Sequence, residues 1–303
     1  MPNKNKALQK AKSNRRDEFY TLIADIENEM MYYKEYFKGR IIYCNCDNYQ
    51  ESAFWKYFYD NFVKLGIKKL IATHIDLDEV AIYDGDEVTS RPIKSGDFRS
   101  EDCLNLLEEA DTIITNPPFS LFREYVSLLF NKKKDFLIIG HQNGLTYKEI
   151  FPYIQAERLR VDATFKRNVA FFSSRYEDIA VDLEHKDGYI RVAGVLWYTN
   201  IAEPEELKKK KGFIPLRCSI HSKDYPKYAN CNAINIDKTS EIPMDYSGTM
   251  GVPVSFINRY NSEQFEIVGF RKGSDNRDLR YTDVEGNIVY PYCRFLIKKK
   301  NLT

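Results

Sequence analysis

Over the first two thirds of the chain, short apolar runs alternate with longer amphipathic ones, and that alternation narrows the fold more than any other feature. Ile41-Ile42-Tyr43-Cys44, residues 69–74, residues 111–115 and Phe136-Leu137-Ile138-Ile139 read as strands. Between them, residues 22–37 place Ile23, Ile26, Met30, Tyr33 and Phe37 at three- and four-residue spacing, with Gly39 set to end the helix. Residues 52–65, closed by Gly66, residues 100–110, capped by Ser100, and residues 119–130 are further helices. Residues 79–83 and 87–93, separated by Asp84-Gly85-Asp86, form a hairpin inserted before the next unit. Residues 159–172 and 189–198 carry strand character. Strands of this length alternating with helices build βαβ units, so the expectation is an α/β fold with a mostly parallel sheet. Ligands of such sheets bind at the carboxyl ends of the strands. The loops at residues 45–48, Asp76, Asp97 and Asn116 are therefore expected on one edge.

Beyond residue 203 the pattern loosens: Pro, Gly and Lys become frequent, and only short β-like runs such as 265–270 and 288–297 remain. Charge divides along the same lines. Residues 1–16 hold six basic and no acidic side chains, residues 17–204 hold 22 basic and 32 acidic, and residues 205–303 hold 17 basic and 12 acidic, within a net charge of +1. Basic ends around an acidic middle suit an enzyme core with nucleic-acid contacts at both ends, and equally suit solvated lysines. A smaller, partly β region is expected over 204–303, and a basic arm over 1–16. The chain has no run of eighteen apolar residues and no apolar stretch behind its Lys-rich start, so neither a membrane span nor a secretory signal is expected. The expected setting is cytoplasmic, with reduced thiols. The six cysteines are scattered except Cys44 and Cys46, and no second Cys/His pair stands at zinc spacing; they read as small residues of a buried strand, with no metal.

The sharpest local feature is Asn116-Pro117-Pro118-Phe119, directly after the strand at 111–115. A planar amino group such as adenine N6 is a poor nucleophile because its lone pair is delocalised into the ring. Two hydrogen-bond acceptors around it favour the pyramidal geometry needed to attack a methyl sulfonium. The Asn116 side-chain oxygen supplies one and the Pro117 carbonyl the other, while two prolines hold the loop at low entropic cost. Phe119 is placed to stack on the base. A base inside a duplex cannot reach such a loop, so it must be flipped out. No general base is required, in keeping with only four histidines in the chain.

At this point the sequence resembles the EcoRI-type adenine-specific (N6) DNA methyltransferases. The resemblance runs through Asp17-Glu18-Phe19-Tyr20-Thr21, Tyr43-Cys44-Asn45-Cys46-Asp47, Gly96-Asp97-Phe98-Arg99, the Asn-Pro-Pro-Phe loop, Gly194-Val195-Leu196-Trp197-Tyr198-Thr199-Asn200 and Met250-Gly251-Val252-Pro253. It implies a Rossmann-like methyltransferase core over 17–203, S-adenosylmethionine as donor and a target-recognition region over 204–303. It further implies that Phe19, Tyr20 and Thr21 contact the methionine end of the donor. Asn45 and Asp47 would stand near the methionine amino group, Asp76 at the ribose with Asp78 as a rival, and Asp97 and Phe98 around the donor's adenine. The turn after the first core strand, Asn45-Cys46-Asp47-Asn48, lacks the glycine common in methyltransferases, as it does in related members.

Phosphate contacts are expected from Lys10, Lys12, Arg15 and Arg16 in the arm and from Lys208 and Lys209. Arg271, Lys272, Arg277 and Arg280, interleaved with Gly, Ser, Asp and Asn, suit base edges in the major groove. The implied partner is duplex DNA. A cognate restriction endonuclease acting on the same site is a candidate second partner, within restriction-modification, and a solitary methylase is the other setting. A monomer is expected, because one methyl goes to one strand per event. Three other readings stay open: a methyltransferase acting on RNA or a protein amide, a DNA-binding protein that has lost catalysis, and, more distantly, an oxidoreductase, against which stands the absence of a G-x-G-x-x-G turn.

Overall fold

In a computed structural model of the chain, residues 20–162, 164, 165, 169–173, 185, 186, 189–271 and 279–300 are described. They form two compact units: residues 1–150 with 159–204, and residues 151–158 with 205–303. Among the described residues, no helix is long and apolar enough to cross a membrane.

The larger unit is built on an eight-stranded sheet. In chain order its strands are β2 (Ile41–Cys44), β3 (Lys69–Ala72), β4 (Glu79–Tyr83), β5 (Val88–Pro92), β6 (Thr112–Thr115), β7 (Asp135–His141), β8 (Arg160–Asp162) and β12 (Val195–Thr199). In space the order is β5-β4-β3-β2-β6-β7-β12-β8. The central four, β3-β2-β6-β7, run parallel. Both flanks are antiparallel, so the sheet is mixed, and the expected parallel character belongs to its centre. The hairpin β4–β5 extends the sheet edge.

The connections explain the parallel core. From β2 the chain crosses through α2 (Ala53–Asp60) and α3 (Phe62–Leu65) to β3, on one side of β2. After the hairpin it crosses through α4 (Glu101–Glu109) to β6, on the other side. The sheet order therefore reverses between β2 and β6, and a crevice opens at such a switch point. Local signals set the helix ends. Ser52 and Ser100 accept hydrogen bonds from first-turn N–H groups. Gly66 closes α3 with φ +63°, a left-handed conformation that glycine adopts at little cost.

Several expected elements are divided, the helix over 52–65 among them, which breaks at Asn61 into α2 and α3. The helix over 22–37 becomes α1 (Ile23–Met30) and a 3₁₀ turn (Lys34–Phe37). The predicted apolar face still buries Ile26, Met30, Tyr33 and Phe37, and the break brings the Tyr33 hydroxyl to Asp162. The run 159–172 separates into β8 and β9 (Val169–Ser173). The run 189–198 separates into β11 (Tyr189–Ala193) and β12 at Gly194, whose φ of +82° turns the chain from one sheet to another. That second sheet orders β1 (Tyr20–Thr21), β9, β11 and β10 (His185–Lys186) as β1-β9-β11-β10, all antiparallel. The core between helices and main sheet is aromatic: Phe165 stacks on Trp197 at 5.5 Å, and Phe54 meets the same indole edge-on.

The smaller unit carries the sheet β13-β14-β18-β15, from Ala233–Asn235, Thr249–Pro253, Arg294–Lys299 and Phe265–Arg271. The ribbon β16 (Tyr281–Thr282)–β17 (Ile288–Val289) and the helices α6 (Phe151–Gln155) and α7 (Glu205–Lys211) also belong to it. Helix α6 arrives from mid-chain and packs Phe151 against Phe270 and Phe295.

Candidate active site at the switch point

Seven polar side chains are buried around the carboxyl ends of β2, β3 and β6: Asn45, Asp47, Asn48, Ser52, Thr73, His74 and Thr115. A polar group taken out of water costs free energy unless it is hydrogen-bonded, so each needs an account.

Asp47 sits at the centre. Its backbone N–H is donated to the Thr73 carbonyl, anchoring the turn after β2 to the end of β3. Ser52 Oγ donates to one carboxylate oxygen at 2.6 Å and Thr115 Oγ1 to the other at 2.5 Å. Ser52 is also the N-cap of α2 and accepts from the N–H groups of Phe54 and Trp55. Thr115 is the last residue of β6, directly before Asn116. One carboxylate thus ties the β2 turn, the α2 N-terminus and the strand that carries Asn-Pro-Pro-Phe. Burial pushes its pKa up to about 6, against the lowering effect of the Ser52 and Thr115 hydrogen bonds and of nearby His74. Among the described residues, no lysine or arginine forms an ion pair with it.

Asn45, 1% exposed, accepts a hydrogen bond from the Tyr125 hydroxyl through its Oδ1, and its buried Nδ2 has no hydrogen-bond partner. An orphaned donor costs about 1–3 kcal/mol of desolvation. The site therefore holds a buried carboxylate lacking a cation and a buried amide N–H₂ lacking an acceptor, two residues apart. That pair is complementary to the ammonium and carboxylate of a free amino-acid group, so the methionine end of a donor fits here. The non-glycine turn is compatible with this, because side chains supply the donor and acceptor.

The other expected donor residues take varied positions. Asp76, 59% exposed at the side chain, follows β3, and its backbone N–H is donated to His74 Nδ1. Asp78 is exposed and its carbonyl holds the base of the hairpin through Ile93. Both Asp97 oxygens are engaged by Arg99, through Nε at 2.9 Å and Nη2 at 2.6 Å, which lowers the Asp97 pKa. A donor amino group at Asp97 would share it with that guanidinium. Phe98 is 4% exposed and packs edge-on against Tyr125, behind Asn45, with no open ring face. Gly96 holds this segment against β3: a Cβ there would lie 1.9 Å from the His74 carbonyl oxygen, so no larger residue fits. Thr21 is buried at the end of β1, and its Oγ1 accepts from Asn116 Nδ2 at 3.4 Å. Of Tyr20 only the backbone, paired with Ser173, is described; Phe19 lies outside the described residues.

In the Asn-Pro-Pro-Phe loop, Asn116, Pro118 and Phe119 are half-buried and Pro117 is buried; Phe119 opens a 3₁₀ turn into α5 (Phe122–Asn131) and packs partly on the core. Residues that the sequence reading missed are Ser52, Thr115 and Tyr125, and Ile75, an apolar side chain 53% exposed beside the end of β3. Ser52 was visible as a capping serine and Thr115 as the neighbour of Asn116. Nothing local marks Tyr125.

Of the expected DNA contacts, Lys208 and Lys209 are exposed on α7, Arg271 ends β15 half-buried, and Arg280 is exposed. Lys10, Lys12, Arg15, Arg16, Lys272 and Arg277 lie outside the described residues. The smaller unit also contains a cavity of about 460 Å³ lined by Lys227, Tyr228, Asn230, Cys231, Asn232 and Tyr246, among others.

Comparison with known proteins gives a consistent result. The family described as "Adenine-specific methyltransferase EcoRI" matches residues 7–86 and 74–300. The chain is 39% identical to the Type II methyltransferase M.EcoRI of Escherichia coli, over 98% of each chain. It is 36% identical to the Type II methyltransferase M.MpnI of Mycoplasma pneumoniae, over 86% of this chain and 84% of the relative. It is 35% identical to the Type II methyltransferase M.MgeORF184P of Mycoplasma genitalium, over 86% and 85%. No solved structure gives a significant match.

Proposed function

The chain belongs to the EcoRI family of adenine-specific methyltransferases, and from that premise we propose that it transfers a methyl group from S-adenosylmethionine to N6 of an adenine flipped out of duplex DNA. The observation that carries the donor assignment is the unmet N–H₂ of Asn45 beside the buried Asp47 carboxylate, which is met by hydroxyls alone. When bound, the donor supplies an electrophilic methyl group on sulfur. Asp47 would hold its ammonium and Asn45 Nδ2 its carboxylate. Asp76, exposed beyond β3 and closer to the strand end than Asp78, is assigned to the ribose hydroxyls. Ile75 offers an apolar surface beside it. Asp97 stands at the margin of the site, and Phe98 supports it from behind by packing on Tyr125.

The adenine amino group is met by Asn116 Oδ1 and the Pro117 carbonyl. Both accept its N–H groups, which draws the nitrogen toward sp³ geometry and frees its lone pair toward the methyl carbon. Asn116 and Pro117 would hold the nitrogen in this geometry while the donor supplies its methyl group, and the nitrogen gives up one proton to water. Phe119 offers a ring for the face of the extrahelical base, and Pro117 and Pro118 restrict the loop.

The smaller unit is assigned to target recognition. Asn230 and Asn232 line its cavity beside Lys227, and amides with a cation suit base edges and phosphate. Lys208, Lys209, Arg271 and Arg280 on the same unit, and the basic arm, extend the electrostatic contribution. A restriction endonuclease of the same specificity is the natural partner of a type II methyltransferase, with the enzyme acting as a monomer.

The test is transfer of labelled methyl to unmethylated duplex DNA, with the modified nucleoside identified, for wild type and Asn116→Ala. N6-methyladenine from the wild type, reduced by at least about 100-fold in the variant with donor binding intact, is the expected result. No product on any duplex, with the donor still bound, would redirect the assignment to RNA or protein.

A further inference from the structure

A carboxamide has two nearly isosteric ends, and only one of them can serve an amino-group substrate. If Asn116 presents Oδ1 to adenine N6, a hydrogen bond forms. If the amide is turned by half a revolution, two N–H₂ groups face each other and the acceptor is lost. The chemistry proposed above therefore needs a device that fixes the orientation of this one side chain, and solvent cannot be that device, because water bonds either end equally well.

Thr21 stands where such a device is needed. Its Oγ1 lies 3.4 Å from Asn116 Nδ2 and accepts from it, across 95 positions of sequence. Thr21 is 6% exposed, so water competes poorly for the contact. Its position is set by backbone pairing: Thr21 pairs with Phe172 and Tyr20 with Ser173, which makes β1 the edge strand of the second sheet. On the other side of the loop, Thr115 binds Asp47 at 2.5 Å. The catalytic asparagine is thus preceded by a residue anchored to the donor turn and met by a hydroxyl from a different sheet.

We propose that Thr21 is a positioning residue whose hydroxyl takes the amide N–H of Asn116 and so holds Oδ1 toward the adenine amino group. This departs from the donor contact that the family resemblance implies for Thr21, and it rests on the adenine-methylation reading above. A hydroxyl is suited to the role because its rotating O–H leaves a lone pair for Nδ2 whatever else it donates to. Valine, of nearly the same shape, offers no acceptor.

The experiment is single-turnover methylation of duplex DNA by wild type, Thr21→Val and Thr21→Ser, with donor and DNA dissociation constants and thermal midpoints measured for each. The expected result is a loss on the order of 10- to 100-fold in the methylation rate of Thr21→Val. Dissociation constants should stay within about twofold, and Thr21→Ser should recover most of the rate, because it restores the acceptor. Should valine disturb β1, seen as a lowered midpoint, Thr21→Ala removes the acceptor without the branched methyl groups and must show the same loss. A Thr21→Val enzyme as fast as wild type overturns the proposal. So does a loss confined to the donor dissociation constant, which would make Thr21 a donor contact. Absence of methylation by the wild type itself defeats the underlying reading instead.

Discussion

Asp47 and Asp162 are both buried aspartates of the larger unit, at 7% and 1% exposure, and their surroundings differ in kind. Asp162, on β8, receives Arg160 Nη2 at 2.8 Å and the Tyr33 hydroxyl at 2.8 Å, and Arg160 also reaches Tyr33. Its charge is met within the protein, by a guanidinium that is itself half-buried. Asp47, at the switch point, is met by two hydroxyls and, among the described residues, by no lysine or arginine. A hydrogen bond from a neutral hydroxyl lowers the cost of a buried carboxylate without cancelling its charge, which is why burial still dominates and holds its pKa near 6. The first arrangement is self-sufficient, and so it reads as structural. The second is completed only by something from outside carrying positive charge. Perturbation of this kind marks functional sites more often than framework ones.

Substitution at each aspartate separates the two cases. Asp162→Asn leaves the half-buried Arg160 without its carboxylate, with Glu203 at 3.7 Å as the remaining counter-charge among the described residues. Removing one member of a buried pair typically costs about 3–5 kcal/mol. Chemical denaturation should show a loss in that range, with donor affinity of the folded protein unchanged. Asp47→Asn should do the reverse. It removes an uncompensated buried charge, so stability should hold or rise, while donor affinity falls by roughly 30-fold or more, the cost of losing one partner of a buried charge pair. Equal destabilisation by both changes, or normal donor binding by Asp47→Asn in calorimetry, would break the distinction.

How much of this was visible beforehand follows from where the information resides. Periodicity is local, so β2, β3, β6, β7 and the hairpin β4–β5 were legible, as were the cap at Ser100 and the stop at Gly66. The adjacency of the 45–48 turn and Asn116 was legible at one remove, because parallel strands deliver their carboxyl ends to one edge. The contacts that give the site its character were not. Thr115 to Asp47 spans 68 positions and Tyr125 to Asn45 spans 80, and both depend on which strand lies beside which. A threonine ending a strand and a tyrosine within a helix carry no sign of such partners. Asp97 shows a different limit: the family resemblance implies an acceptor there, and nothing in that resemblance marks that Arg99, two residues on, engages both oxygens. The split at Gly194 was open to reading, since a glycine inside a strand-like run is a recognised sign of a turn, but the exchange of sheets at that point is a tertiary fact.

The finest test concerns the proton on Asp47. An aspartate raised from 3.8 to about 6 binds its proton more tightly in the folded protein than in the unfolded chain. Its ionisation therefore counts against folding as pH rises from about 4 to 6, and the penalty is constant above that. Donor binding has the opposite sign, since the ammonium needs the carboxylate ionised. Affinity should be flat above pH 7 and fall as pH drops through 6, approaching tenfold per unit below it if one proton is displaced. Asp47→Asn should abolish that dependence. Thr115→Val should shift it, because the Thr115 hydroxyl is among the groups that lower this pKa. Without it the midpoint moves above 6, and the hydrogen bond itself contributes about 1 kcal/mol. At pH 6.5 the valine enzyme should therefore bind donor several-fold more weakly than wild type, and at pH 8 the gap should narrow. A gap that is constant across pH would mean that Thr115 acts on the shape of the turn, and that Asp47 meets the donor without any change in its protonation.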